Sequence, residues 1–177
     1  MDNATLAQES SGDDERASSR DRGTALPPDP VRELSAAEIR FADAFTRVMS
    51  VLMKSEPYRS MRLGEIEHFV APPLISGQFA ILDGRINGHR TPLAIAFWAH
   101  VSPEVDKRLS DTSQAAVLMP QDWRSGTIPW LIDVVGQPEA AAQLMRQLKE
   151  RPFAELVKMR HRAADGHLVV SSLQADS

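Results

Sequence analysis

Two near-continuous apolar runs constrain the fold of this chain more than any other feature. Pro92–His100 reads P-L-A-I-A-F-W-A-H, and Thr127–Val135 reads T-I-P-W-L-I-D-V-V. Such runs are expected of strands covered on both faces, because a half-exposed strand alternates apolar with polar residues. Pro129 has no N–H to give to a ladder, so the second run is expected to pair only beyond its beginning.

Helix signals surround these runs. Ser35 and Glu38 have the spacing of a capping box. Phe41, Phe45, Val48 and Leu52 then form one apolar stripe, which predicts a helix over about 35–54. A second helix is expected over about 62–70, stopped by Pro72-Pro73. Gln78–Leu82 reads as a short strand, and Asn87-Gly88 as a hairpin turn. Ser102-Pro103-Glu104 starts a helix with Pro in its first turn. Gly136 ends the second apolar run, and Pro138–Lys149 reads as a helix with Leu144 and Leu148 in register. Phe153–Arg160 and His167–Leu173 flank Asp165-Gly166, a second hairpin signal. The order implies an α/β or α+β domain: one mixed sheet of about five strands with helices packed on it.

Charge sets the domain boundary. Residues 1–30 carry seven acids and three arginines, which is the whole net charge of −4. That segment has no Val, Ile or aromatic residue and ends in Pro27-Pro28-Asp29-Pro30. It cannot bury enough apolar surface to offset its ordering entropy, so 1–30 is expected to be a disordered acidic tail and 31–177 the folded domain. The balanced remainder gives no reason to expect nucleic acid or an anionic membrane as a partner. Neither a signal peptide nor a membrane span is legible, and a cytoplasmic location is expected.

The chain has no cysteine. That excludes a disulfide framework, a zinc–thiolate site and a thiol nucleophile. The five histidines (His68, His89, His100, His161, His167) show no metal-ligand spacing, so no metal is expected. His89, His161 and His167 read as turn or surface residues, and His100 as a strand-terminal one. Phosphate-cradling glycine motifs and a G-x-S-x-G elbow are absent. Methionines such as Met49, Met53 and Met61 read as core filling. One acid stands out. Asp133 lies inside the second apolar run, where a carboxylate is costly unless an arginine or backbone donors satisfy it. Buried acids of this kind are also common at active sites.

At this point the residues carry a family resemblance. Pro120-Gln121-Asp122-Trp123-Arg124-Ser125-Gly126, followed by Trp130-Leu131-Ile132-Asp133, resembles the toxin-activating lysine acyltransferases, which activate RTX haemolysins. Pro73-Leu74 with Gly77-Gln78-Phe79, Phe97-Trp98-Ala99 with Ser102, and Ser55-Glu56-Pro57-Tyr58-Arg59 are similar to further family segments in the same order. The resemblance covers about residues 35–165. It implies a fold related to the GCN5-like N-acetyltransferases, and transfer of a fatty acyl group from acyl carrier protein to lysine side chains of an RTX-type protoxin. It also implies a homodimer. No cofactor is implied beyond the acylated carrier.

The resemblance places a catalytic aspartate at Asp133 and a catalytic histidine at the position held here by Tyr58. Ser55, Arg59, Trp123, Ser125 and Gly126 fall in motifs expected to bind the donor. Histidine, with a pKa of about 6.5, accepts a proton at neutral pH, whereas tyrosine near 10 is almost wholly neutral. Three readings of Tyr58 stay open here. It acts as general acid toward the leaving thiolate while Asp133 or His100 handles the amine; it belongs to a non-catalytic, carrier-binding or regulatory relative; or it only packs beside Pro57. Val135-Gly136-Gln137-Pro138-Glu139 has one glycine where the wider fold has a glycine-rich pyrophosphate loop. This suits a carrier-protein donor. Arg59, Arg62 and Arg124 are candidates to meet an acidic carrier.

Overall fold

The computed structural model describes residues 34–56, 58–150 and 157–173. The expected tail at 1–30, and the start of the strand expected from Phe153, lie outside the described residues. Helix α1 spans Ala36–Leu52 and begins with the expected capping box. The Ser35 hydroxyl accepts the Glu38 N–H (3.3 Å), and Glu38 accepts the Ser35 N–H (2.8 Å). Its apolar stripe is buried only from Val48 onward; Phe41 is exposed and stacks on Phe45. Helix α2 spans Leu63–Phe69. Pro72 and Pro73 do not merely stop it. They occupy the first turn of a further helix, α3 (Ala71–Ser76), where a missing N–H costs nothing.

A single sheet follows, with β1 (Phe79–Ile86), β2 (His89–Val101), β3 (Ile128–Gly136), β4 (Val157–Arg162) and β5 (Leu168–Leu173) as neighbours in chain order. The pairs β1–β2, β2–β3 and β4–β5 are antiparallel, while β3–β4 is parallel. Helix α4 (Pro103–Ser110) and a 3₁₀ turn at Pro120–Arg124 separate β2 from β3. Helix α5 (Pro138–Glu150) provides the crossover that a parallel pair requires. The outcome is the expected mixed five-stranded α+β sheet. Among the described residues no helix is long and apolar enough to cross a membrane.

The apolar run of β2 is covered on both faces, as its composition requires. Ile95, Phe97, Ala99 and Val101 pack with α1, α3, α4 and Trp123. Ala94 and Ala96 pack with Leu144 and Leu148 of α5. Met53, by contrast with the core-filling expectation, is 62% exposed.

The end of β3 is tight. Gly136 has φ 141, and a Cβ there would overlap Leu93 O and the Ala94 Cα. A Gly136→Ala variant therefore forces backbone apart. It is expected to lose about 3 kcal/mol or more of stability, read as a lowered urea midpoint.

The parallel pair is brief. Only Trp130↔Lys158 and Leu131↔Met159 are in register, and beyond Leu131 the two strands part. Asp106 of α4 ties the paired end, accepting Trp130 Nε1 (2.8 Å) and Lys158 Nζ (2.7 Å).

Candidate active site

The chain leaves α1 in a tight turn that delivers Tyr58. The N–H groups of Tyr58 (2.9 Å) and Arg59 (3.1 Å) both donate to Ser55 O, and the Met61 N–H donates to Tyr58 O (2.9 Å). The phenol ring stacks on Phe69 at 5.7 Å and 13°. Phe69 in turn meets Phe97 and Trp123 edge-on. Such aromatic contacts contribute beyond their buried area, and they fix the tyrosine over β3.

Asp133 reaches the tyrosine because β3 is bulged. Phe97 pairs with Asp133 but Trp98 pairs with Leu131, so Ile132 is an extra residue. A bulge restarts the two-residue alternation. Trp130, Ile132 and Val135 belong to the cluster that holds Tyr58, while Leu131 and Val134 face α5. Counted on from Trp130, strict alternation without a bulge would point Asp133 at α5. With the bulge, Tyr58 Oη donates a hydrogen bond to Asp133 Oδ2. The other oxygen, Oδ1, accepts the Val134 N–H at 2.8 Å. Among the described residues no cation stands within ion-pair distance of Asp133. Desolvation pushes its pKa from 3.8 up to about 6, against the pull of the Val134 N–H. A carboxylate near 6 is mostly ionised at pH 7 yet basic enough to take a proton.

Cavities lie against this pair. One of about 770 Å³ is lined by Tyr58, Met61, Phe69, Leu109, Leu118, Trp123, Trp130, Ile132, Arg160 and Leu168, with His68, Arg62 and Glu65 also on its wall. A second, of about 380 Å³, is lined by Ile132–Val134, Met159–His161 and Ala141, Ala142 and Met145 of α5. It occupies the opening where β3 and β4 part. The first lies within the size range of small-molecule sites.

The remaining expected residues are scattered. Trp123 is buried and lines the large cavity. Ser125 Oγ accepts the Ser102 N–H (2.9 Å) and donates to Asp122 O (2.9 Å). A Cβ on Gly126 would overlap Val101 O and Ser102, and its N–H donates to His100 O at 3.1 Å. Both residues thus join the Pro120–Arg124 turn to the end of β2. Ser55 Oγ donates to Val51 O at 3.0 Å, and Arg59 pairs with Glu56 on the surface at 3.1 Å. Arg62 and Arg124 are exposed. His100 bonds Gln78 Nε2 at 3.0 Å. It alternates with Ala99 and Val101, which face Tyr58's cluster, so it points away from that side.

Arg160 was invisible as a site residue because a single arginine in a short strand reads as a solvated side chain. His68 carried no spacing signal either. A scan against family models matches residues 37–172 to the RTX toxin acyltransferase family. No curated protein matches the chain.

Proposed function

Because the chain belongs to the RTX toxin acyltransferase family, we propose that it moves a fatty acyl group from acyl carrier protein to the ε-amine of lysines in an RTX-type protoxin. Membership alone places it in an acyltransferase family of RTX toxin activation. The observation that carries the finer reading is the hydrogen bond from Tyr58 to Asp133, made where β3 and β4 separate.

The pair works as a proton relay. The lysine attacks the thioester carbonyl as a neutral amine. As the N–C bond forms, the amine proton passes to Tyr58 Oη while the tyrosine proton passes to Asp133 Oδ2. The C–S bond then breaks, and the same proton returns through Tyr58 to the leaving thiolate. Asp133 ends as the carboxylate it began as, so protons and charge balance. The tyrosine never has to ionise in isolation, which removes the objection of its high pKa. The carboxylate, with a pKa of about 6, is the base. No cysteine exists to carry an acyl intermediate, which favours direct transfer from thioester to amine.

The donor's arm fits the opening between β3 and β4, with the acyl chain in the larger, mostly apolar cavity beside Tyr58. This arrangement is in keeping with a GCN5-related fold. The end of β3 favours a carrier-protein donor over coenzyme A. The Gln137 N–H donates to Leu93 O at 3.0 Å, and Pro138 has no N–H. Two successive positions therefore offer no backbone donor to a pyrophosphate.

The test offers a protoxin the same acyl group on carrier protein and on coenzyme A. Peptide mass spectrometry is expected to find amide-linked acyl-lysine, formed at least about tenfold faster from the carrier. Equal rates would overturn the donor assignment. Acyl-lysine from neither donor would overturn the proposed function.

A further inference from the structure

Arg160 lies on β4 directly after Met159, the last residue of that strand paired to β3, and its side chain lines both cavities. Its Nη2 donates to the Gln114 carbonyl. Its Nε and Nη1 are closed to solvent and have no partner. Among the described residues no carboxylate stands within ion-pair distance. Asp111 senses the charge only as the least of the effects on it, behind two hydrogen bonds from Ser113. Two of its three nitrogens are thus desolvated without an acceptor, which is disfavoured for a cationic group.

The same cavity holds a second orphan. Trp123 Nε1 is buried without an acceptor. Among the described residues, the buried side-chain polar atoms without a partner on this wall are donors; Gln78 Oε1, an acceptor without one, belongs to a residue outside the lining. Most of the remaining wall is apolar: Phe69, Leu109, Leu118, Ile132 and Leu168. The wall thus suits a ligand that is apolar along its length and negatively charged at one end.

We propose that this cavity binds a fatty acid as its free anion, with the chain on the apolar wall and the carboxylate on Arg160. A thioester carries no charge at its carbonyl, so this ligand is distinct from the acyl donor. The guanidinium turns toward the cavity to present Nε and Nη1, and the ligand carboxylate makes up for the Nη2 bond to Gln114 given up in turning. In the setting of the proposed function, free fatty acid released by donor hydrolysis then competes with the donor for the cavity. That competition rests on the transfer reading; the binding does not.

Trp123 and Trp130 line the cavity, so tryptophan fluorescence reports occupancy directly. The full-length chain is titrated with laurate and with dodecanol, which share a chain and differ in charge. Laurate is expected to bind at least about tenfold tighter. Arg160→Gln is expected to bring laurate down to the level of dodecanol while leaving dodecanol binding unchanged, which also shows that the variant folds. Arg160→Lys keeps part of the preference. Equal affinities in the native protein, no binding of either ligand, or a laurate preference that survives Arg160→Gln would each overturn the proposal. Selective laurate binding in a protein that transfers no acyl group would sink the transfer reading and leave this one standing.

Discussion

Tyr58→Phe is expected to slow acyl transfer by about 10²–10⁴-fold, the usual contribution of a positioned proton-transfer group. Phenylalanine keeps the stack on Phe69 and removes only the hydroxyl that donates to Asp133. The fold should therefore survive with its circular dichroism unchanged, and the urea midpoint should fall by the equivalent of about 1–3 kcal/mol because a buried carboxylate loses a donor. KM for the donor should also hold, because the loss falls on a step made only in the transition state. Tyr58→His gives the discriminating comparison. It installs the residue that the family resemblance assigns to this position, and it can still pass a proton to Asp133. Its rate is expected within about tenfold of the native protein. A Tyr58→Phe variant with native kcat would remove the hydroxyl from the mechanism.

Asp133→Asn is expected to separate stability from activity. Transfer should fall by about 10²–10⁴-fold, since an amide cannot accept the proton. Stability should rise. Ionising a carboxyl with a folded-state pKa near 6 rather than 3.8 costs the folded protein about 3 kcal/mol at neutral pH. Between those two values the folded state keeps a proton that the unfolded chain has lost, so native stability falls as pH rises from 3.8 toward 6. The full cost is present above that window and absent below it. The variant should gain most over the native protein at pH 7, less as pH falls through 6, and nothing below 3.8. Urea unfolding at a series of pH values measures this. A pH-independent difference would show that desolvation of Asp133 is not its cause. Function held at the expense of stability is a common property of active sites.

Element by element, the sequence was most readable where one physical rule dominated. The capping box at Ser35 and Glu38 fixed the start of α1, and the unbroken apolar run of Pro92–His100 required cover on both faces of β2. Rules that compete were harder. Pro72-Pro73 breaks one helix and starts the next, and only the tertiary path decides that both occur. Phe41 has helical spacing, but its ring contact among the described residues is with Phe45 of its own helix, and it remains exposed. The geometry of the site depends on a single bulge. W-L-I-D-V-V gives no sign that Ile132 is the extra residue, because every residue of the run but Asp133 is apolar and suits either face. Strict alternation counted on from Trp130 would turn Asp133 away from Tyr58. Composition marked Asp133 as an acid in need of a partner, and the family resemblance supplied Tyr58. Their contact, 75 residues apart in sequence, could come only from the fold. Arg160 offered no pattern at all, since its isolation from acids is a property of three-dimensional packing.

The most direct test of the Tyr58–Asp133 account is single-turnover transfer from an acylated carrier protein to a protoxin, followed by mass spectrometry across pH. The account predicts acyl-lysine whose rate climbs with pH through an apparent pKa near 6, the value that burial gives Asp133, and a Tyr58→Phe protein slower throughout. Transfer with no inflection in that region, and with the Tyr58→Phe rate equal to the native one, would contradict it.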